Sequence, residues 1–329
     1  MTDVIDTTQT LVSTAALWLD VVWEVERLTQ FLRDGILHTL HRRGVVVGCS
    51  GGIDSSVVLA LCARALGPER VVALLMPERE SSPESAVLAQ ALADQLGVAA
   101  ITEDLTGALE GAGCYRRRDE AIRRVFPEFD VEWKSKITLP GGLLDLGTLN
   151  VFYLTIIRPD GQEFRRRLPA AEYAQIVASS NFKQRMRMTT LYYHAELRHF
   201  AVVGTAQKNE HDLGFFVKYG DGGVDINPIR HLYKSQVYQL AEYLEVPAAI
   251  QARTPTTDTY SAGSTQEEFF FRMPFAVLDV VWAGHEQGRP IQELAAALQL
   301  SVAQVERAID DIKRKERTTE YLRASVLAF

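Results

Sequence analysis

The sequence predicts an α/β fold built on a parallel sheet with helices on both faces. Short apolar runs at 45–47, 71–76, 98–102 and 200–205 show no alternation of polarity, as strands covered on both sides require. Segments of helical character separate these runs, so strand and helix alternate along the chain. A glycine-rich turn, Ser50-Gly51-Gly52, joins the first strand directly to a helix.

The elements follow in order. Residues 10–40 read as helix, with Leu17, Val21, Val25 and Leu28 on one stripe. Val45-Val46-Val47 is a buried strand and 55–66 (SSVVLALCARAL) a helix. Residues 71–76 (VVALLM) form a second strand. Residues 84–96 form a second helix, with Gly97 as its C-cap. Residues 98–102 complete a third strand. Regularity then lapses, and 111–170 reads as an insertion in the core. It carries a basic cluster, Arg116-Arg117-Arg118, and a glycine turn at Gly141-Gly142. A hairpin of 149–157 and 162–168 is expected around Pro159-Asp160-Gly161. A long helix over 171–199, a strand over 200–205 and a helix over 232–244 restore the pattern. The sheet should hold about five strands. The tail, 290–322, is helical, and Ser301 with Gln304 fits a capping box. The chain reads as one domain without repeats.

Composition narrows the function. The 329 residues are 47% hydrophobic and 23% charged, with a net charge of -7, which suits a globular protein and disfavours general nucleic-acid binding. Cys49, Cys62 and Cys114 lack the paired spacing of a disulfide framework or zinc site and read as plain thiols. His41, His194, His199, His211, His231 and His285 show no metal-ligand spacing. No secretory signal or membrane span is visible, and the expected compartment is the cytoplasm.

The sharpest motif is Ser50-Gly51-Gly52-Ile53-Asp54-Ser55-Ser56, between a strand and a helix. Glycines let backbone amides approach an anion, and the helix start adds free N–H groups and the positive end of its dipole. Ser50, Ser55 and Ser56 add hydroxyls, so the loop predicts a pyrophosphate cradle. It lacks the Gly-Lys-Ser/Thr ending of loops that transfer the γ-phosphate. Asp54 beside phosphates makes sense as a magnesium ligand. A second constellation follows downstream: Gly204-Thr205, Lys208, Asn209-Glu210, Lys218 to Pro228 and Lys234.

Together these residues carry a resemblance. The phosphate loop resembles that of the ATP pyrophosphatases. GTAQKNE, GFFVKYGDGGVDINPI and LYKSQV are similar to the signature of ammonia-dependent NAD synthetases. Asn181 to Met188 resembles that family's substrate-binding helix, and Thr254-Pro255-Thr256-Thr257-Asp258 its mobile loop. The match covers roughly 40–110 and 175–260. The resemblance implies a Rossmann-like adenine-nucleotide α-hydrolase sandwich and an ATP-dependent amide ligase. Such an enzyme adenylates the carboxylate of deamido-NAD, and ammonia then gives NAD, AMP and pyrophosphate.

Residue roles are implied in the same way. Ser50, Gly51, Gly52, Asp54, Ser55 and Ser56 would hold the phosphates, with Arg79 and Thr205 also on ATP. Asp54 and Glu210 would bind Mg²⁺. Lys234 and Thr256 would neutralise charge on the α-phosphate and the leaving pyrophosphate. Arg185, Lys218, Asp221 and Asp225 would line the acceptor pocket. A homodimer is implied. About 44 residues precede the phosphate loop, too few for a glutaminase domain, so ammonia is expected free or from a separate partner.

Two segments depart from the family pattern, the hairpin at 149–168 and the run Thr259 to Pro274. The acceptor therefore stays open between deamido-NAD and another carboxylic acid from a natural-product or polysaccharide pathway. Phe269-Phe270-Phe271 reads as core or dimer contact rather than a ligand stack. Residues 291–309 scan like a helix-turn-helix, but Glu306 and Asp310 would face phosphates badly, so a helical pair packed on the core is preferred. An RNA-thiolating enzyme would need a Cys pair or a basic module. A silent nucleotide sensor would not need Asp54, Glu210 and Lys234 together.

Overall fold

The computed structural model describes residues 17–139, 141–144, 151–256 and 260–329. Helix α1 (Val21–Arg33) starts at Asp20, whose side chain accepts the Trp23 amide, and buries Val25, Leu28 and Leu32. A π-helical stretch, Asp34–Thr39, extends it. Residues 10–16 of the expected N-terminal helix lie outside the described residues.

The core alternates as predicted: β1 (Val45–Gly48), α2 (Ile53–Leu66), β2 (Val71–Leu75), α3 (Pro83–Leu96) and β3 (Ala99–Thr102). Gly97 closes α3 in the left-handed region, at φ 69°. Beyond β3 come α4 (Thr106–Gly111), α5 (Cys114–Val125), β4 (Lys134–Thr138), β5 (Tyr153–Ile157) and β6 (Glu163–Arg167). The long α6 (Ala170–Arg198) leads back to β7 (Ala201–Val203). The sheet is parallel, with order β3-β2-β1-β7. Connections on the two sides of β1 therefore run in opposite directions. A crevice opens there at the carboxyl ends of the strands, where open α/β sheets bind ligands.

About five strands were expected, and the described residues give four. Where a fifth would lie, Val203 and Ile226 make one isolated parallel bridge. The Asp225 carboxylate accepts the Val202 amide at 2.8 Å, so a side chain takes a bond that a longer ladder would need.

The insertion is more regular than the sequence suggested. Its hairpin pairs β5 with β6 antiparallel as expected, but β4 adds a third strand. In β4 only Ser135 and Ile137 are buried, a two-residue period too short to stand out in sequence. The arginine cluster belongs to α5, an amphipathic helix that buries Tyr115, Arg118, Ala121 and Ile122. Ile122, Phe126, Ile137, Leu154 and Ile156 share a core with Ile176 of α6.

The remaining α-helices of the described residues are α7 (Lys208–Leu213), α8 (Lys234–Tyr243), α9 (Ala248–Gln251), α10 (Phe275–Glu286), α11 (Ile291–Ala297), α12 (Val302–Thr318) and α13 (Glu320–Arg323), with a π-helical stretch at Glu267–Phe271 before α10. The predicted capping box at Ser301 and Gln304 is present. Leu294, Val305, Ile309 and Ile312 are buried with Leu278, Val281 and Trp282 of α10, so α11 and α12 do pack on the core. Cys49, Cys62 and Cys114 are buried free thiols. No helix of the described residues is long and apolar enough to cross a membrane.

Candidate active site

The phosphate loop leaves β1 at Gly48 and enters α2 with Gly52 as N-cap. Gly51 has φ +68°, and a Cβ there would stand 2.5 Å from the Ser85 carbonyl oxygen of α3. Only glycine permits both this backbone and this approach. The Gly52 amide donates to Ser50 Oγ at 3.3 Å. Ser55 and Ser56 donate their hydroxyls to the Gly52 carbonyl at 3.1 and 2.8 Å.

Asp54 occupies the first turn of α2. Its Oδ2 accepts from Lys234 Nζ at 2.5 Å, while its Oδ1 is buried with no hydrogen-bond partner. Lys234 opens α8 and is almost fully buried. Burial disfavours its charge, but Asp54 and Glu210 outweigh that and raise its pKa. The α8 start is itself held. Asn209 Oδ1 accepts the Lys234 amide at 3.0 Å, and Asn209 Nδ2 donates to Asp279 at 2.6 Å. Asp279 also accepts the Ser235 amide and hydroxyl. The sequence reading missed this support; its signal was a lone acid inside the apolar helix α10.

Glu210 sits in the first turn of α7, in a capping box with Gln207. Its Oε1 accepts from Gln266 Nε2 at 3.1 Å. Burial, then the nearby Asp54 carboxylate, pushes its pKa up to about 8. Two carboxylates that repel one another, one with an orphaned buried oxygen, make a donor set suited to a hard divalent cation.

Ser50, Gly52, Asp54, Ser55, Thr205, Glu210, Asp221, Lys234 and Thr256 all line one cavity of about 740 Å³. Asp221 accepts the Val217 amide at 2.8 Å. Its pKa is raised to about 6, by burial above all, against the lowering effect of that amide. Arg253, not singled out from sequence, also lines the cavity. It donates to the Ser50 and Gly51 carbonyls at 3.4 Å and to Ser85 Oγ at 2.7 Å. Of Phe269-Phe270-Phe271, only Phe271 is fully buried; Phe269 and Phe270 face the cavity.

Other expected site residues stand apart from this cavity. Gly51 packs on α3, and the Ser56 hydroxyl turns inward. Arg79 lies 3.6 Å over the Tyr115 ring. Lys218 Nζ donates to the Tyr321 and Ala324 carbonyls at 2.8 and 3.0 Å. Arg185 donates to the Lys218 carbonyl, and Asp225 accepts from the Tyr192 hydroxyl and the Val202 amide. His194, His211 and His231 contact Glu103, Asp212 and Glu24 respectively. Thr257 and Asp258 of the expected mobile loop lie outside the described residues.

Comparisons with known proteins show what the chain is similar to. The NAD synthase family model matches residues 24–120 and 155–321. The "NH(3)-dependent NAD(+) synthetase" of Mesorhizobium japonicum is 48% identical, over 94% of this chain and 97% of its own. That of Thermotoga neapolitana is 37% identical, over 82% of this chain and 86% of its own. Among solved structures, the NMN synthetase of Francisella tularensis matches with a TM-score of 0.64 at 22% identity, covering 94% of this chain and 99% of that one. The NH3-dependent NAD synthetase of Campylobacter jejuni, solved with nitrate, matches at 0.58 and 22%, covering 94% and 100%. These two share the fold. A nucleotide-type loop, a carboxylate–lysine pair and a second buried carboxylate thus meet in one cavity, and by the family model and its relatives this chain belongs to the NAD synthase family.

Proposed function

We propose that this protein is an ammonia-dependent NAD synthetase. It joins ATP to the carboxylate of deamido-NAD, releases pyrophosphate, and lets ammonia displace AMP to give NAD. The observation that carries the reading is the meeting of the Ser50–Ser55 loop, the Asp54–Lys234 pair and Glu210 in one cavity. The names of the relatives at 48% and 45% identity support it.

Adenylation moves negative charge onto a departing pyrophosphate, so cations must stand ready there. The Ser50 and Ser55 hydroxyls and the Gly52 amide grip the phosphates. Lys234 Nζ, held in place by Asp54, faces the charge that builds on the α-phosphate, and Thr256 closes over it. Arg253, at the cavity wall, braces the loop. Asp54 Oδ1 and the Glu210 carboxylate are the groups that would hold Mg²⁺. The bound ion supplies further positive charge at the leaving group. No protein nucleophile is required, because the substrate carboxylate attacks. Aligning it with the α-phosphate is worth up to about 7–11 kcal/mol.

Asp221 is assigned to the acceptor end of the cavity. Arg185, Lys218 and Asp225 are assigned no contact within one subunit. Homodimerisation and direct use of free ammonia complete the reading. Incubation with ATP, magnesium, ammonium chloride and deamido-NAD should yield NAD, AMP and pyrophosphate, and glutamine should not replace ammonium. ADP and orthophosphate as products, or AMP formed only with a different acid, would defeat it.

A further inference from the structure

We propose that the insertion, together with the first turns of α6, supplies an aromatic wall of the catalytic cavity, against which the planar ring of the acceptor lies. The inference rests on the ligase reading above. Leu139, Phe152, Tyr173 and Val177 line the same cavity as Ser50, Asp54 and Lys234. The Phe152 and Tyr173 rings stack at 4.2 Å and 21°, and neither is fully buried. Stacked face on face, they present aromatic surface to the cavity.

The wall is built on a packed base. Behind it lies the insertion core of Ile122, Phe126, Ile137 and Leu154. Two anchors hold it to the rest of the site. The Ser135 amide donates to Ser261 Oγ at 2.9 Å, and the Ala262 amide donates to the Ser135 carbonyl at 3.2 Å. Arg118 of α5 pairs with Glu80 at 2.5 Å, and Glu80 shares its segment with the cavity-lining Pro77, Ser81 and Ser82.

The family model matches 24–120 and 155–321 and passes over 121–154. Leu139 and Phe152 therefore come from a stretch that the family model leaves unmatched. The chemistry says what this wall is for. The carboxylate of deamido-NAD is attached directly to a pyridine ring, so bringing it to the α-phosphate brings the ring into the cavity. An aromatic face binds such a ring by stacking and leaves the carboxylate free to meet the α-phosphate. Phe152 and Tyr173 are thus specificity-determining residues for the acceptor rather than for ATP.

The test compares wild type with Phe152→Ala, Phe152→Leu and Phe152→Tyr. Calorimetric Kd for deamido-NAD is measured alongside the KM values for both substrates. Loss of one stacking face should raise acceptor Kd and KM about tenfold in Phe152→Ala. ATP KM should stay within about twofold, and Phe152→Tyr should restore the acceptor. Phe152→Leu keeps bulk without a π face and should behave like Phe152→Ala, which covers a poorly folded alanine variant. An unchanged acceptor Kd in variants that melt like wild type would overturn the wall. So would an equal loss of ATP and acceptor, or no acceptor binding by wild type. Wild type that binds deamido-NAD without making AMP, with affinity lost in Phe152→Ala, would sink the ligase reading and support the wall.

Discussion

At the scale of single residues, the site is organised by charges that are costly to bury. Lys234 is tolerated in the interior because Asp54 meets it directly. Lys234→Met removes the positive charge aimed at the α-phosphate and strands Asp54. Its AMP-forming kcat/KM should fall by roughly 10²–10³-fold, the usual loss when a donor to developing charge is removed. Steady-state kinetics checks this, and a fall below about tenfold would remove Lys234 from the chemistry. Asp221 offers a pH test. Its folded pKa is raised to about 6, so the stability it contributes is full below its unfolded value. That contribution is lost as pH rises through about 6. Asp221→Asn should therefore melt a few degrees above wild type at pH 8, an effect of about 1–2 kcal/mol after allowing for partial exposure, and match it near pH 3.5. Melting curves at the two pH values decide the sign.

At the scale of elements, the phosphate loop depends on the closeness of α2 and α3. Gly51, in the loop ahead of α2, is where that loop meets α3, at positive φ and with the Ser85 carbonyl oxygen 2.5 Å from any added Cβ. Gly51→Ala should cost about 1–3 kcal/mol through strain and weaken ATP binding by at least about tenfold. Gly107→Ala is the control: nothing lies within 4 Å of its added Cβ, and it should be neutral or slightly stabilising. Thermal melts with and without ATP distinguish the pair. Similar behaviour of the two variants would mean that the loop tolerates displacement from α3.

At the scale of the whole molecule, the insertion and the nucleotide core are joined by buried charge. Lys183 of α6 reaches Glu78 at 2.9 Å and Glu80 at 2.6 Å, and Arg118 meets Glu80 from the other side. The Tyr115 hydroxyl donates to Glu78 at 2.7 Å. Lys183→Met would leave Glu78 and Glu80 without this ammonium and should cost about 3–5 kcal/mol. The melting temperature should fall by many degrees as the insertion and core come apart together. An unchanged melt would show that Lys183 is not what holds the two parts together.

Much of this was legible in sequence where a local rule suffices. Apolar runs gave β1 and β2, the Gly-rich turn gave the junction of strand and helix, Gly97 and Ser301 marked helix ends, and the downstream motifs singled out Glu210 and Lys234. The strand and helix-end signals lie within a few residues of one another and obey backbone geometry, whereas Glu210 and Lys234 came from the resemblance of the downstream motifs. Tertiary structure decided what depends on distant partners. It set the pairing of Lys234 with Asp54, 180 residues away, and the support from Asp279. It turned an arginine cluster into a half-buried helix and a polar stretch into β4, because the apolar face of each has meaning only against α6 and β5. It also carried Phe152 into the cavity while Lys218, Arg185 and Asp225 stayed outside, since which side chains share a space is fixed by packing and not by order along the chain.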